Sequence, residues 1–276
     1  MTPQEFQALP SEPADFRYTY GSAPEQFIEL RVPTGRGKWP VAILIHGGCF
    51  QAQYATLRDL APIADALRAK GVATWNVEYR RSGNPGGGWP GTYLDAGQAV
   101  DAIRSYAEVH SLDLSRTVII GHSAGGHLAM WVAARRTLPP ASEFHVEDPL
   151  QPLAVFNLAG APDLAEYLPY AGDACGPDKI HGFLGGEPRS VPERYQIVSV
   201  TRRLPIGIPQ ILVWGEQDPM IPLALAVAHR DQASKKGDRV ALLSFPDEGH
   251  FEVASPLAPS WPTIEAEILS RLHAVK

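Results

Sequence analysis

The 276-residue chain has two cysteines, Cys49 and Cys175, and neither a CxxC pair nor a Cys/His cluster. That is too few for a disulfide framework and the wrong pattern for a structural zinc site, and it suggests a cytoplasmic type of chain. Long apolar runs are also missing. The longest, Leu128 to Ala134, falls far short of the roughly 18 to 20 residues needed to span a bilayer. Met1 to Phe16 holds no Lys or Arg and no apolar block, so it lacks the parts of a secretory signal and reads as an ordinary polar leader. Basic charge is in deficit, with 24 Lys and Arg against 30 Asp and Glu and a formal net charge of −6. Such a balance gives no field for gripping phosphates, so neither nucleic acid nor an anionic membrane is an expected partner.

What is present is core material: 45% of residues are hydrophobic and 20% charged, enough for one large domain. Short β-branched or aliphatic runs alternate with segments of helical period, which predicts an α/β architecture with a mostly parallel sheet and helices on both faces. The expected strands are Phe27–Val32, Val41–Ile45, Val72–Glu78, Thr117–Ile120, Leu153–Leu158, Gln210–Trp214 and Val240–Phe245, with an early one at Phe16–Tyr20. Helices are expected over Leu57–Leu67, Tyr93–Val109, Gly125–Thr137, Leu223–Lys236 and Thr263–Ala274. Residues 160–209 are rich in proline and glycine and read as a loop-rich insertion or small cap within a single domain, 1–276.

The chemistry-bearing signal is Gly121-His122-Ser123-Ala124-Gly125, a G-x-S-x-G pattern between an apolar strand and a helical segment. A tight strand-to-helix turn strains its central residue and needs small neighbours, which is what the flanking glycines supply. Serine is a poor nucleophile at neutral pH, so Ser123 requires a histidine as base and an acid to orient it, both on later loops. His250, after strand Val240–Phe245, and Asp218, after strand Gln210–Trp214, complete the order Ser, Asp, His. Asp163, Asp247 and Glu216 are rival acids. His46-Gly47-Gly48-Cys49-Phe50 follows strand Val41–Ile45 and suits an oxyanion loop, with N–H groups of Gly48 or Cys49 acting beside that of Ala124. His46 and Gly47 would support that loop.

These residues resemble the α/β-hydrolase superfamily over nearly the whole chain, from Phe16 to the C-terminal helix. His46-Gly47-Gly48-Cys49-Phe50 is similar to the HGGxW segment of its arylformamidase-like and esterase/lipase-like branch, related to hormone-sensitive-lipase-type enzymes, with Phe50 in place of the usual tryptophan. Glu78-Tyr79-Arg80 resembles the acidic-Tyr-Arg stretch of the same enzymes. The resemblance implies an eight-stranded sheet with an antiparallel second strand, a triad of Ser123, Asp218 and His250, no cofactor or metal, and hydrolysis through an acyl-enzyme.

The expected activity is hydrolysis of small or medium carboxylic esters, with a small-molecule ester or amide as partner and the oligomeric state open. Arylformamidase or other amide hydrolysis, a prolyl-oligopeptidase-like peptidase and a non-catalytic binding module are the alternatives. A large gating domain, which such peptidases carry, has no room in this chain. The glycine-rich run Asn84–Gly91 lacks the spacing and the Lys-Ser/Thr of a phosphate loop and reads as a wall near the site. Arg80 and Arg81 read as structural ion-pairing residues, His122 and His127 as packing or hydrogen-bonding residues, and Cys49 as a packed thiol.

Overall fold

Apolar runs set the strands β1 (Phe16–Thr19), β2 (Phe27–Arg31), β3 (Trp39–Ile45), β4 (Ala73–Val77), β5 (Leu112–His122), β6 (Ala154–Leu158), β7 (Gln210–Gly215) and β8 (Val240–Phe245). In the computed structural model, which describes residues 1–273, they form one eight-stranded sheet in the order β1-β2-β4-β3-β5-β6-β7-β8. β2 runs antiparallel to both neighbours, and the remaining pairings, from β4 through to β8, are parallel. The strands β4, β6 and β7 are buried along their whole length, as expected where helices cover both faces of a parallel sheet. The edge strand β1 is mostly exposed.

The covering elements are α1 (Pro3–Gln7), α2 (Ala61–Ala69), α3 (Gly91–Asp101), α4 (Ala124–Ala133), α5 (Leu164–Tyr167), α6 (Pro177–Leu184), α7 (Pro192–Val198), α8 (Leu223–Lys235) and α9 (Trp261–His273). The last residue of the expected Thr263–Ala274 helix lies outside the described residues. Trp75, Trp131 and Trp214 are among the largest buried side chains, and each indole N–H donates to a carbonyl, of Ala99, Ile197 and Ile221 at 2.8, 3.1 and 2.8 Å. Burying these rings therefore leaves no donor unpaired. Arg135, just past α4, forms two hydrogen bonds to Asp101 at 2.7 and 2.8 Å, joining the ends of α3 and α4.

Two segments depart from expectation. Residues 160–209 contain the short helices α5, α6 and α7, because Pro177 and Pro192 occupy first-turn positions where a missing N–H costs nothing. The polar leader contains α1, capped by a reciprocal Thr2–Glu5 box with Pro3 in its first turn.

Candidate active site

β5 ends at His122, and Ser123 takes φ 55° and ψ −123° before α4 begins at Ala124. The glycines on either side are required by contact. A Cβ on Gly121 would lie 2.0 Å from the Gly125 carbonyl oxygen, and one on Gly125 would lie 2.0 Å from that of Ile45. Only hydrogen fits at either position, so the elbow is locked against β3 while Ser123 is held in a conformation that costs about 1 to 3 kcal/mol in isolation.

Asp218 follows β7 and His250 follows β8, and the two meet with His250 Nδ1 2.6 Å from Asp218 Oδ2. The other Asp218 oxygen accepts the N–H groups of Met220 and Ile221 at 2.7 and 2.9 Å, which fixes the carboxylate. Ser123 and His250 line the same cavity. The rival acids are elsewhere: Asp163 caps α5 through Ala165 and Glu166, Asp247 is exposed, and Glu216 accepts from Ser244.

The loop after β3 lies directly against the elbow. A Cβ on Gly47 would come 2.9 Å from the His122 carbonyl oxygen and 3.0 Å from Ser123 Cβ. Gly48, Cys49 and Phe50 follow with φ of 98°, 51° and 59°, a left-handed run that turns the chain beside Ser123. Beneath it, Tyr79 Oη donates to the His46 carbonyl at 2.7 Å. His46 Nε2 is 3.0 Å from Glu78 Oε1, which Arg81 also reaches at 2.8 Å. Burial opposes ionisation of Glu78, yet the neighbouring His46 and Arg81 outweigh it and hold its carboxyl below the usual range. Arg80 pairs with Asp95 at 2.7 Å, so both arginines are in ion pairs.

Cys49 is not a free thiol. It is bonded to Cys175, with the Cα atoms 5.3 Å apart and 126 residues between them in sequence. The low cysteine count argued against a framework of disulfides, but it could not show that the fold brings these two residues within bonding distance.

Ser123 lies between two cavities. One, about 20 Å³, is lined by apolar groups that include Phe50, Leu164, Tyr167, Ile180 and Ile221. The other, about 380 Å³, is lined by His250 together with Phe6, Gln7, Gln53, Tyr54 and Asp59. Burial raises the Asp59 carboxyl above its ordinary pKa. Sequence reasoning missed the contribution of α1 to this second cavity, where Phe6 packs on the rings of His122 and Phe251 at 5.4 and 5.3 Å. The run Thr2-Pro3-Gln4-Glu5 was the available signal, since it has the spacing of a capping box. The glycine-rich run Asn84–Gly91 lines neither cavity, and its Trp89 N–H instead donates to the Phe183 carbonyl on α6.

His122 and His127 are hydrogen-bonding core residues, as expected. His122 Nε2 is 2.9 Å from the His250 carbonyl oxygen, and burial, reinforced by the charge of His250, lowers its pKa to about 3. His127 bridges Tyr93 Oη and the Ala161 carbonyl at 2.8 Å each, and burial lowers its pKa to about 4.

The BD-FAE family model matches residues 29–232, a span that runs from β2 into α8 and includes the loop after β3, the elbow and Asp218. The chain belongs to the BD-FAE family. This BD-FAE member is 24% identical over 255 residues to esterase LipC of Mycobacterium tuberculosis (strain ATCC 25618 / H37Rv). That match takes in 85% of this chain and 59% of the relative, so the chain spans under two thirds of the curated relative's length. Among solved structures it is similar to esterase B from Lactobacillus Rhamnosis (HN001), with a TM-score of 0.78 and 20% identity over 99% of this chain and 90% of that one. It is likewise similar to an acetyl ester-xyloside bifunctional hydrolase from Caldicellulosiruptor lactoaceticus, with a TM-score of 0.76 and 18% identity over 96% and 98%. Together with the strand order, these likenesses identify the fold as that of the α/β-hydrolases.

Proposed function

We propose that this BD-FAE member is a serine carboxylesterase that cleaves esters of short acyl groups through an acyl-enzyme. The observation that carries the reading is the 2.6 Å Asp218–His250 contact, opening into the cavity that Ser123 also lines. Ser123 Oγ attacks the ester carbonyl while His250 Nε2 takes its proton. Asp218 holds the Nδ1–H tautomer and stabilises the imidazolium. The N–H of Ala124, at the positive end of α4, joins that of Gly48 or Cys49 in donating to the oxyanion. His250 then returns the proton to the departing alcohol, and water repeats the cycle to free the acid.

The two cavities divide the substrate. A departing alcohol collects its proton from His250, so the cavity lined by His250 is the alcohol side and the other takes the acyl group. About 20 Å³ holds about one water-sized group, which suits formyl or acetyl better than a longer chain. On the alcohol side, Gln7, Gln53, Tyr54 and Asp59 offer donors and acceptors to a hydroxylated partner. The likeness to an enzyme described as an acetyl ester-xyloside hydrolase supports an acetylated polyol. Aryl formamide hydrolysis is the second reading, favoured by the same narrow acyl cavity.

Residues 160–209 act as a small cap on one domain in this reading. Among the described residues, no helix is long and apolar enough to cross a membrane. The Cys49–Cys175 bond favours an oxidising compartment over the cytoplasm suggested by the cysteine count.

The test is hydrolysis of p-nitrophenyl esters from acetate to decanoate, beside N-formylkynurenine, by the wild type and Ser123→Ala. Acetate hydrolysis that disappears in the variant supports the esterase. Dominant turnover of the formamide moves the assignment to the second reading, and unchanged ester turnover in Ser123→Ala rejects both.

A further inference from the structure

The disulfide has no part in the reaction just described, yet it joins two elements of the site. Cys49 belongs to the loop beside Ser123, and Cys175 belongs to a single turn, Asp173–Cys175, between α5 and α6. Besides the bond, the segment is tied outward by Lys179, whose ammonium lies 5.1 Å from the centre of the Tyr54 ring. Gly172 before the turn and Asp173 and Ala174 within it are exposed, Pro177 and Asp178 are exposed after it, and Cys175 is the one fully buried residue from Ala171 to Lys179. A side chain on Gly172 would meet nothing within 4 Å. The side-chain hydrogen bonds to the turn come from Lys179 Nζ, which donates to the carbonyls of Asp173 and Ala174 at 2.7 Å each, so they lie within the segment itself.

The turn nevertheless sits between the two cavities. Cys175 lines the narrow acyl side and Ala174 lines the wide alcohol side, while Cys49 lines both. We propose that the Cys49–Cys175 bond determines acyl-chain specificity by fixing the turn as the partition between the two cavities, so that opening the bond admits longer acyl groups. The inference rests on the esterase reading and on its division of acyl and alcohol sides. The bond opens when a dithiol reductant supplies two electrons and two protons. The S–S bond breaks, two S–H bonds form, and the reductant closes its own disulfide. The turn, without its one buried anchor, then moves away from Cys49, and the 20 Å³ pocket becomes continuous with its larger neighbour.

The experiment compares kcat/KM for p-nitrophenyl acetate, butyrate and hexanoate in four samples: wild type, wild type treated with dithiothreitol, Cys175→Ser, and Cys175→Ser treated with dithiothreitol. The bridged protein should favour acetate strongly. In Cys175→Ser and in the reduced wild type, the butyrate-to-acetate ratio should rise by about tenfold or more, the scale on which a hydrophobic pocket discriminates chain length. Dithiothreitol should add nothing to Cys175→Ser. The reduced wild type carries no mutation and supplies the answer if the variant does not fold. Thiol titration of unreduced, denatured wild type should find neither cysteine free. An unchanged ratio in the reduced protein, or two titratable thiols before reduction, overturns the proposal. Failure of the esterase reading is distinguishable, because the bridged wild type would then turn over no ester at all, and this inference would fall with it.

Discussion

His122 Nε2 lies 2.9 Å from the main-chain carbonyl oxygen of His250, and the two imidazole rings are 4.8 Å apart. With its pKa lowered to about 3, His122 is neutral near pH 7, so its Nε2–H is the donor to that carbonyl. The turn that carries Ser123 and the loop that carries His250 are thus joined directly. His122→Phe keeps a ring in place but removes the donor. It should lower kcat by about 10- to 100-fold, the cost of a small misplacement of reacting groups, and leave KM nearly unchanged. Steady-state kinetics on p-nitrophenyl acetate checks this, and a variant with wild-type kcat would remove His122 from any positioning role.

Replacing Ser123 or His250 with alanine should each reduce turnover by about 10⁶-fold, because the members of such a set act as a unit. Asp218→Asn leaves the shape intact but favours the wrong imidazole tautomer, with an expected loss of about 10⁴-fold. Fluorophosphonate labelling should be lost in Ser123→Ala and slowed in Asp218→Asn. Equal labelling of wild type and Asp218→Asn would show that another acid orients His250.

Glycine positions should differ sharply in tolerance. Gly125→Ala puts a methyl group 2.0 Å from one carbonyl oxygen and 2.3 Å from a second, of Ile45 and His46, and should abolish probe labelling together with stable folding. A methyl group on Gly182, in α6, would meet nothing within 4 Å. Gly182→Ala should stabilise the protein by about 0.5 to 1 kcal/mol through helix propensity. Thermal melts of the two variants test both statements, and a destabilised Gly182→Ala would mean that α6 is packed differently.

Stability should fall in mild acid. Burial lowers the pKa of His122 to about 3 and those of His127 and His229 to about 4, against 6.5 in an unfolded chain. The unfolded state therefore binds more protons than the folded state in the window between those values. The stabilisation is fully present above the unfolded pKa and is lost as pH falls through 6.5 towards 4. Each group contributes up to about 1.4 kcal/mol per pH unit there. The urea midpoint should be level from about pH 7 to 8 and drop steadily below about pH 6.5. A midpoint that stays level down to about pH 5 would contradict the buried, neutral state of these residues.

Much of the geometry of the candidate site was readable in the sequence because its signals are local. The strand before Ser123, the glycines beside it and the short turns before Asp218 and His250 each lie within a few residues of the group they position. The strands behaved in the same way, and Val240–Phe245 has the bounds expected from its apolar run. The bond between Cys49 and Cys175 was not readable, since it depends on residues 126 apart meeting across the top of the sheet. Helices α6 and α7 are hidden by their prolines, which read as breakers in the sequence but in a first turn are starters. The helix α1 is five residues long, too short for its period to register, and its capping box was the one local clue.

The order of the strands separates the molecule into two halves with different obligations. Ser123, Asp218, His250 and the loop from His46 to Phe50 all follow β3, β5, β7 and β8, which with β6 form one unbroken side of the sheet. The opposite side, β1, β2 and β4, supplies none of these residues, although Glu78 just beyond β4 braces the loop. Sequence drift at the exposed positions of β1 should therefore leave those residues in place, whereas β2 packs Ile28 and Leu30 into the core and has no such freedom.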